Sequence, residues 1–171
     1  MVGEIYIIDT SSFIAIEPEK YPPDIYVGMW KDLENLIKKR RMISHIQVLE
    51  ELKEYEGKKR EILKWAENHK DVFVPITPQQ IRLVREIVNT NNFKALIDTT
   101  KPTGDTDAFI IALAMEKTLQ TTLSSLSTKK IVVCEEQLRG NRIRIPFVCK
   151  NFNIECVNIF EMFRREGWKW L

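Results

Sequence analysis

The acidic residues of this sequence fall where a folded chain would bring them together. Asp9 directly follows the apolar run Ile5-Tyr6-Ile7-Ile8, and Glu135-Glu136 directly follow Ile131-Val132-Val133-Cys134. Short runs this apolar read as strands covered on both faces. In open parallel sheets, ligand sites form beyond the carboxyl ends of the strands, near a switch in strand order. Both acidic positions are therefore expected on one rim. Helices supply the others. In the helix after Ser44, at about 100° per residue, Val48, Leu49, Leu52 and Tyr55 centre the buried face. Glu51 flanks that face and reaches inward, whereas Glu50 points almost opposite and is solvated. Asp105 and Asp107 open the most apolar helix, Ala108 to Met115. One acid is enough to cap a helix and meet its dipole. Asp107 abuts the apolar run and is the site candidate, with Asp105 as cap or auxiliary ligand.

Carboxylates a few ångströms apart resist joint ionisation unless a cation stands between them. A set of oxygen ligands with no His or Cys cluster selects Mg²⁺ or Mn²⁺ over zinc. The two histidines, His45 and His69, are isolated in sequence and read as surface or capping residues. A divalent ion in such a cluster lowers the pKa of water, orients it and neutralises a phosphate in an in-line displacement; two ions would sit about 3.5–4 Å apart. The expected reaction is hydrolysis of a phosphodiester. Arg139, Arg142, Arg144, Arg164 and Arg165 are candidates to hold phosphates, through contacts that weaken with salt.

The elements that must position these groups are legible from pattern. Pro18, Pro22 and Pro23 mark a loop, and Trp30, Leu33, Leu36 and Ile37 follow at helical spacing. Met42-Ile43 predicts the second strand, and Ser44-His45-Ile46-Gln47 a capping box opening the next helix. Ile62 to Trp65 belong to another helix, and Val72-Phe73-Val74 to a short strand. Thr77-Pro78-Gln79-Gln80 is a second capping box, with Ile81, Val84, Ile87 and Val88 as the buried stripe of its helix. Thr121 to Thr128 reads as a loop or frayed helix end, Ile154 to Val157 as a weaker strand, and Phe160 to Arg165 as a closing helix. Strands alternating with helices predict a three-layer α/β/α sandwich with a mostly parallel central sheet, in one domain over residues 1–171.

Composition narrows the class. A 171-residue chain with 44% hydrophobic residues builds a core without disulfides. Cys134, Cys149 and Cys156 form no Cys-x-x-Cys pair and read as free thiols in a reducing compartment. With no basic-apolar leader and no apolar stretch of about 18 residues, the expectation is a soluble, cytoplasmic protein without a membrane partner. The net charge of +2 divides unevenly: residues from Lys129 onward carry +4 and the first 128 carry −2. That asymmetry suits a basic surface for a polyanion.

The segments Ile7-Ile8-Asp9-Thr10-Ser11, Val48-Leu49-Glu50-Glu51-Leu52, Asp107-Ala108-Phe109-Ile110-Ile111-Ala112-Leu113-Ala114 and Ile131-Val132-Val133-Cys134-Glu135-Glu136 resemble, in this order, the motifs of PIN-domain ribonucleases of the VapC toxin type. Tyr21-Pro22-Pro23 and Gly167-Trp168 resemble features of a PIN subfamily. The resemblance implies that Asp9, Glu51 and Asp107 bind Mg²⁺ or Mn²⁺, with Glu136 as the fourth acid and Glu135 facing elsewhere. It places Ser11 at a polar position that organises the site, an alternative to a plain helix cap. It also implies an endoribonuclease acting as the toxin of a toxin–antitoxin pair, an antitoxin partner and a homodimer. Cys134 and Glu136 stand where the family has a hydroxyl residue and Asp.

Other classes fit poorly. Ser11 stands where a haloacid-dehalogenase phosphatase needs a second Asp, and Glu135-Glu136 where a receiver domain needs Lys. No phosphate-binding Gly-rich loop or Gly-x-Ser-x-Gly elbow is present. The alternative from another class is a catalytically idle PIN-like domain that binds RNA or a protein partner.

Overall fold

The computed structural model describes residues 3–55, 60–117 and 128–170. The hydroxyl-rich segment read as a loop or frayed helix end lies, except for Thr128, outside the described residues.

The apolar runs form the strands β1 (Ile5–Ile8), β2 (Met42–His45), β3 (Phe73–Val74), β4 (Lys130–Val133) and β5 (Glu155–Val157). Every pairing is parallel and the strand order is β3-β2-β1-β4-β5. Helices flank the sheet on both sides, the general α/β/α arrangement expected. The order reverses at β1, which pairs with β2 on one edge and β4 on the other. Ile8 sits opposite Val133, and Asp9 N–H donates to the Val133 carbonyl at 2.9 Å. The ends of β1 and β4 are thus level, which places Asp9 and Glu135-Glu136 on one rim at the switch point.

The helices are α1 (Thr10–Ala15), α2 (Val27–Lys38), α3 (Ile46–Glu54), α4 (Arg60–Asn68), α5 (Pro78–Asn89), α6 (Thr106–Met115), α7 (Ile145–Asn151) and α8 (Ile159–Arg165). Ala108 to Leu113 of α6 are all buried, as a helix apolar on every side must be. It packs across β1, β2 and β4. Thr77 and Gln80 complete the expected capping box of α5. The buried stripe of α5 is Gln80, Val84 and Ile87, so the expectation for Ile81 is corrected: it is 40% exposed, one residue off that face. Among the described residues no helix is long and apolar enough to cross a membrane.

The entry to α3 differs from the capping box expected at Ser44. Ser44 remains in β2, buried, with its hydroxyl donating to the Ile8 carbonyl at 2.6 Å. His45 is the cap instead: its Nδ1 accepts from Gln47 N–H at 3.2 Å. Of its two readings, surface or capping, the second holds and the first is corrected, since the ring is fully buried, stacks on Phe109 at 4.7 Å and meets Gln80 Oε1 through Nε2 at 3.2 Å. His69 stacks on Trp65 at 4.4 Å. Trp168 and Trp170 pack on Phe163, at 5.4 and 5.1 Å, and so on the domain's own surface.

Burial pushes the His45 imidazole down to about 4. The folded chain therefore holds a neutral ring where the unfolded chain, near 6.5, takes up a proton. This contribution is complete above about pH 6.5 and is lost as pH falls toward 4, at a cost of about 3 kcal/mol. His45→Asn keeps a good cap without a titrating ring. By urea unfolding the variant is expected to be less stable at pH 7 but to lose about 3 kcal/mol less than the native chain on acidification to pH 4. Equal losses in the two proteins would contradict this role.

Candidate active site

Asp9, Glu51, Asp107 and Glu136 line one cavity of about 390 Å³, together with Thr10, Ser11, Ile14, Tyr55 and Arg144. Each acid comes from a different part of the fold. Asp9 ends β1 and caps α1, with Ser11 N–H donating to Oδ2 at 3.1 Å. Glu51 projects from α3 and Asp107 from the first turn of α6. Glu136 follows β4 and accepts from Ile145 N–H at 3.3 Å and from Arg144 Nη1 at 3.4 Å. Glu50, on the far side of α3, pairs with Lys53 at the surface at 2.7 Å.

Hydroxyl groups hold three of these elements in register. Ser11 Oγ donates to Asp9 Oδ2 at 2.6 Å and accepts from Glu135 N–H at 3.0 Å, tying α1 to the end of β4. Asp9 thus supplies the cap of α1 and Ser11 the bridge. Thr10 Oγ1 donates to Glu51 Oε2. Glu135 turns away: its Oε1 accepts from Ser12 Oγ and from Ile159 N–H, both at 2.9 Å, fixing the start of α8.

The electrostatics are those of crowded acids. Burial raises the Asp9 carboxyl, opposed by the Ser11 and Thr10 hydrogen bonds, with Glu136 raising it further. Burial also raises Glu51, against the Thr10 hydrogen bond. Asp107 is pushed up to about 8, first by burial and then by Asp9, Glu136 and Glu51, with Arg144 pulling down. Among the described residues no hydrogen-bond donor reaches the Asp107 carboxylate. The donor set is all oxygen and suits a hard divalent ion. As the side chains stand, however, no group of three or more Asp, Glu, His or Cys among the described residues is arranged to hold a metal ion. Three of the four acids are instead engaged by Ser11, Thr10 or Arg144.

The remaining candidates divide. Arg139, Arg142 and Arg144 line an adjoining cavity of about 320 Å³ with Glu135 and Glu136. Arg164 and Arg165 line none of these cavities; they pair with Glu161, Glu155 and Glu4. Asp105 occupies the cap position of α6 without a capping hydrogen bond, and its buried Oδ1 has no partner among the described residues. It does not line the acidic cavity. Tyr55, expected on the buried face of α3, is corrected to a residue 46% exposed at the cavity edge, because the chain leaves helical geometry there. Thr10 was missed, although its place directly after Asp9 on a helix facing α3 was the available signal. The cysteines are free as expected, with Cys134 Sγ and Cys156 Sγ 3.3 Å apart.

Comparison with known proteins corrects the family. The chain matches the family model described as a domain of unknown function (DUF4411) over residues 6–170, and not a PIN-domain or VapC model. The four segments that resembled PIN motifs lie inside that match. Two of them end strands, one lies within α3 and one opens α6, and such pieces recur wherever a parallel sheet places polar residues on its rim. The terms that came with the resemblance (PIN domain, nuclease, metal-binding, toxin–antitoxin) accordingly find no support in the family. No curated protein and no solved structure matches the chain. With the match covering nearly its whole length, the chain belongs to the DUF4411 family.

Proposed function

We propose that the chain hydrolyses phosphodiester bonds in RNA with the help of Mg²⁺ or Mn²⁺, held by Asp9, Glu51, Asp107 and Glu136. The observation that carries this reading is the convergence of four acids, from four separate elements, on one cavity of about 390 Å³. Such an arrangement is unfavourable for a neutral-pH fold unless positive charge enters it. When bound, the ion supplies charge neutralisation for the phosphate and polarises a water for in-line attack.

The protein's own groups do the remaining work. Ser11 fixes the Asp9 carboxylate and Thr10 orients Glu51. Loading requires the acids to turn from these partners toward the cavity, with Asp107 already without one among the described residues. Arg144, largely exposed at the rim, offers its guanidinium to a phosphate once Glu136 is neutralised. Arg139 and Arg142 extend the cationic wall. A second reading, a non-catalytic domain that binds RNA or a protein, draws on the absence of a preformed ion-binding group among the described residues.

One assay separates the two readings. Single-stranded RNA incubated with the purified protein is expected to be cut in Mg²⁺ or Mn²⁺, to survive in excess EDTA, and to be cut again when the ion is restored. Cleavage unaffected by EDTA, or RNA intact with either ion, would reject the hydrolase.

A further inference from the structure

A smaller cavity of about 150 Å³ opens beside the acidic one and shares Glu51, Asp107 and Arg144 with it. Its own walls come from the loop before α6 and from Ile143. That loop is a closed turn: Asp98 N–H donates to the Gly104 carbonyl at 2.8 Å, and Gly104 N–H to the Lys101 carbonyl at 3.2 Å. A Cβ on Gly104 would lie 1.7 Å from the Asp98 carbonyl oxygen, so only glycine allows this closure. The turn fixes hydroxyls at the pocket. Thr106 Oγ1 donates to the Thr103 carbonyl at 2.7 Å and Thr103 Oγ1 to Glu54 at 2.8 Å. With their protons used, both oxygens keep only acceptor lone pairs. Lys101 supplies a donor whose ion pair with Asp98 is loose at 3.9 Å. Ile143 adds an apolar wall, and Arg144 a planar cation.

The volume is well below the roughly 300 Å³ at which whole small-molecule sites begin. The pocket therefore suits one part of a ligand whose remainder lies in the acidic cavity. A second phosphate is a poor fit, because Glu51, Asp98 and Asp107 stand in the walls. The part of a nucleic-acid strand that joins a phosphodiester and offers donors and acceptors on a flat edge is a base, read in single strands by such edges and by stacking on guanidinium planes. We infer that this pocket receives the nucleobase next to the scissile phosphate and makes cleavage base-selective. The inference rests on the hydrolase reading of the adjoining cavity.

The test reads binding without turnover. Fluorescent pentaribonucleotides of A, C, G and U are titrated into the native chain with Ca²⁺, and anisotropy gives four affinities. The native chain is expected to separate the tightest from the weakest by about 10-fold or more. Ile143→Trp, which fills the pocket, and Lys101→Ala, at an exposed position that spares the fold, are each expected to narrow that spread to under about 3-fold. Four equal affinities in the native chain, or a spread that survives both substitutions, would overturn the subsite. Turnover of bis(p-nitrophenyl) phosphate by the native chain, which has no nucleobase, reports the acidic cavity separately. Base selectivity without this turnover would reject the hydrolase, and turnover without selectivity would reject the pocket.

Discussion

Asp107→Asn is expected to stabilise the metal-free protein at pH 8 by about 2 kcal/mol while abolishing its response to divalent ions. The carboxyl is pushed up to about 8 by burial and by the charges of Asp9, Glu136 and Glu51. In the unfolded chain it titrates near 3.9. Between these values the folded chain retains a proton that the unfolded chain has released, so stability falls as pH rises. The penalty is absent below about pH 4 and complete above about pH 8. Moving the carboxyl this far corresponds to about 6 kcal/mol. The half-buried side chain is partly screened at the cavity mouth, which reduces the recoverable part to about 2 kcal/mol. Asparagine matches the size and carries no charge. Urea unfolding at pH 5 and pH 8 measures the effect, with the difference between variant and native larger at pH 8. A variant less stable than the native chain at pH 8 would contradict the crowding. The response to ions supplies the second half: a ligand at 100 times its Kd stabilises by about 2.7 kcal/mol. For a domain of this size that raises Tm by roughly 5–11 °C. The native chain should show that rise with Mn²⁺ and Asp107→Asn should not.

Asp9→Asn is expected to lower RNA hydrolysis by about 10³-fold while leaving stability within about 1 kcal/mol of native. The separation follows from the two tasks of Asp9. As the cap of α1 it accepts from Ser11 N–H, and asparagine caps helices as well as aspartate does. As a ligand it contributes a charge that an amide lacks, and contributions of this kind to a metal-assisted displacement amount to several kcal/mol, each 1.36 kcal/mol being tenfold in rate. Single-turnover cleavage and thermal unfolding of the same preparation check both parts. Full activity in Asp9→Asn would remove this residue from the site.

The parts of this fold readable in advance are those set by local pattern. The runs at 5–8 and 131–133, the all-apolar α6 and the Thr77 capping box need no distant partner to be recognised. They also place Asp9, Glu136 and Asp107, because strand ends and a helix start fix where those side chains begin. What pattern did not reveal depends on contacts far along the chain. His45 reads as a surface or capping residue, and its burial shows only when Phe109 and Gln80 enclose it. Arg164 and Arg165 look available for phosphates until Glu161, Glu155 and Glu4 claim them. The helix at Ile145–Asn151 gave no periodic signal, since seven residues form a helix through packing rather than propensity. The family was misread for a related reason: motifs of a few residues report local geometry and say little about ancestry.

Calorimetric titration of the metal-free native protein with Mn²⁺ addresses the central claim most directly, because it asks whether the four acids take up a cation at all. Saturable, divalent-dependent heat is expected in the native chain and none in Asp107→Asn. No heat in the native chain, or the same heat in both proteins, would contradict that claim.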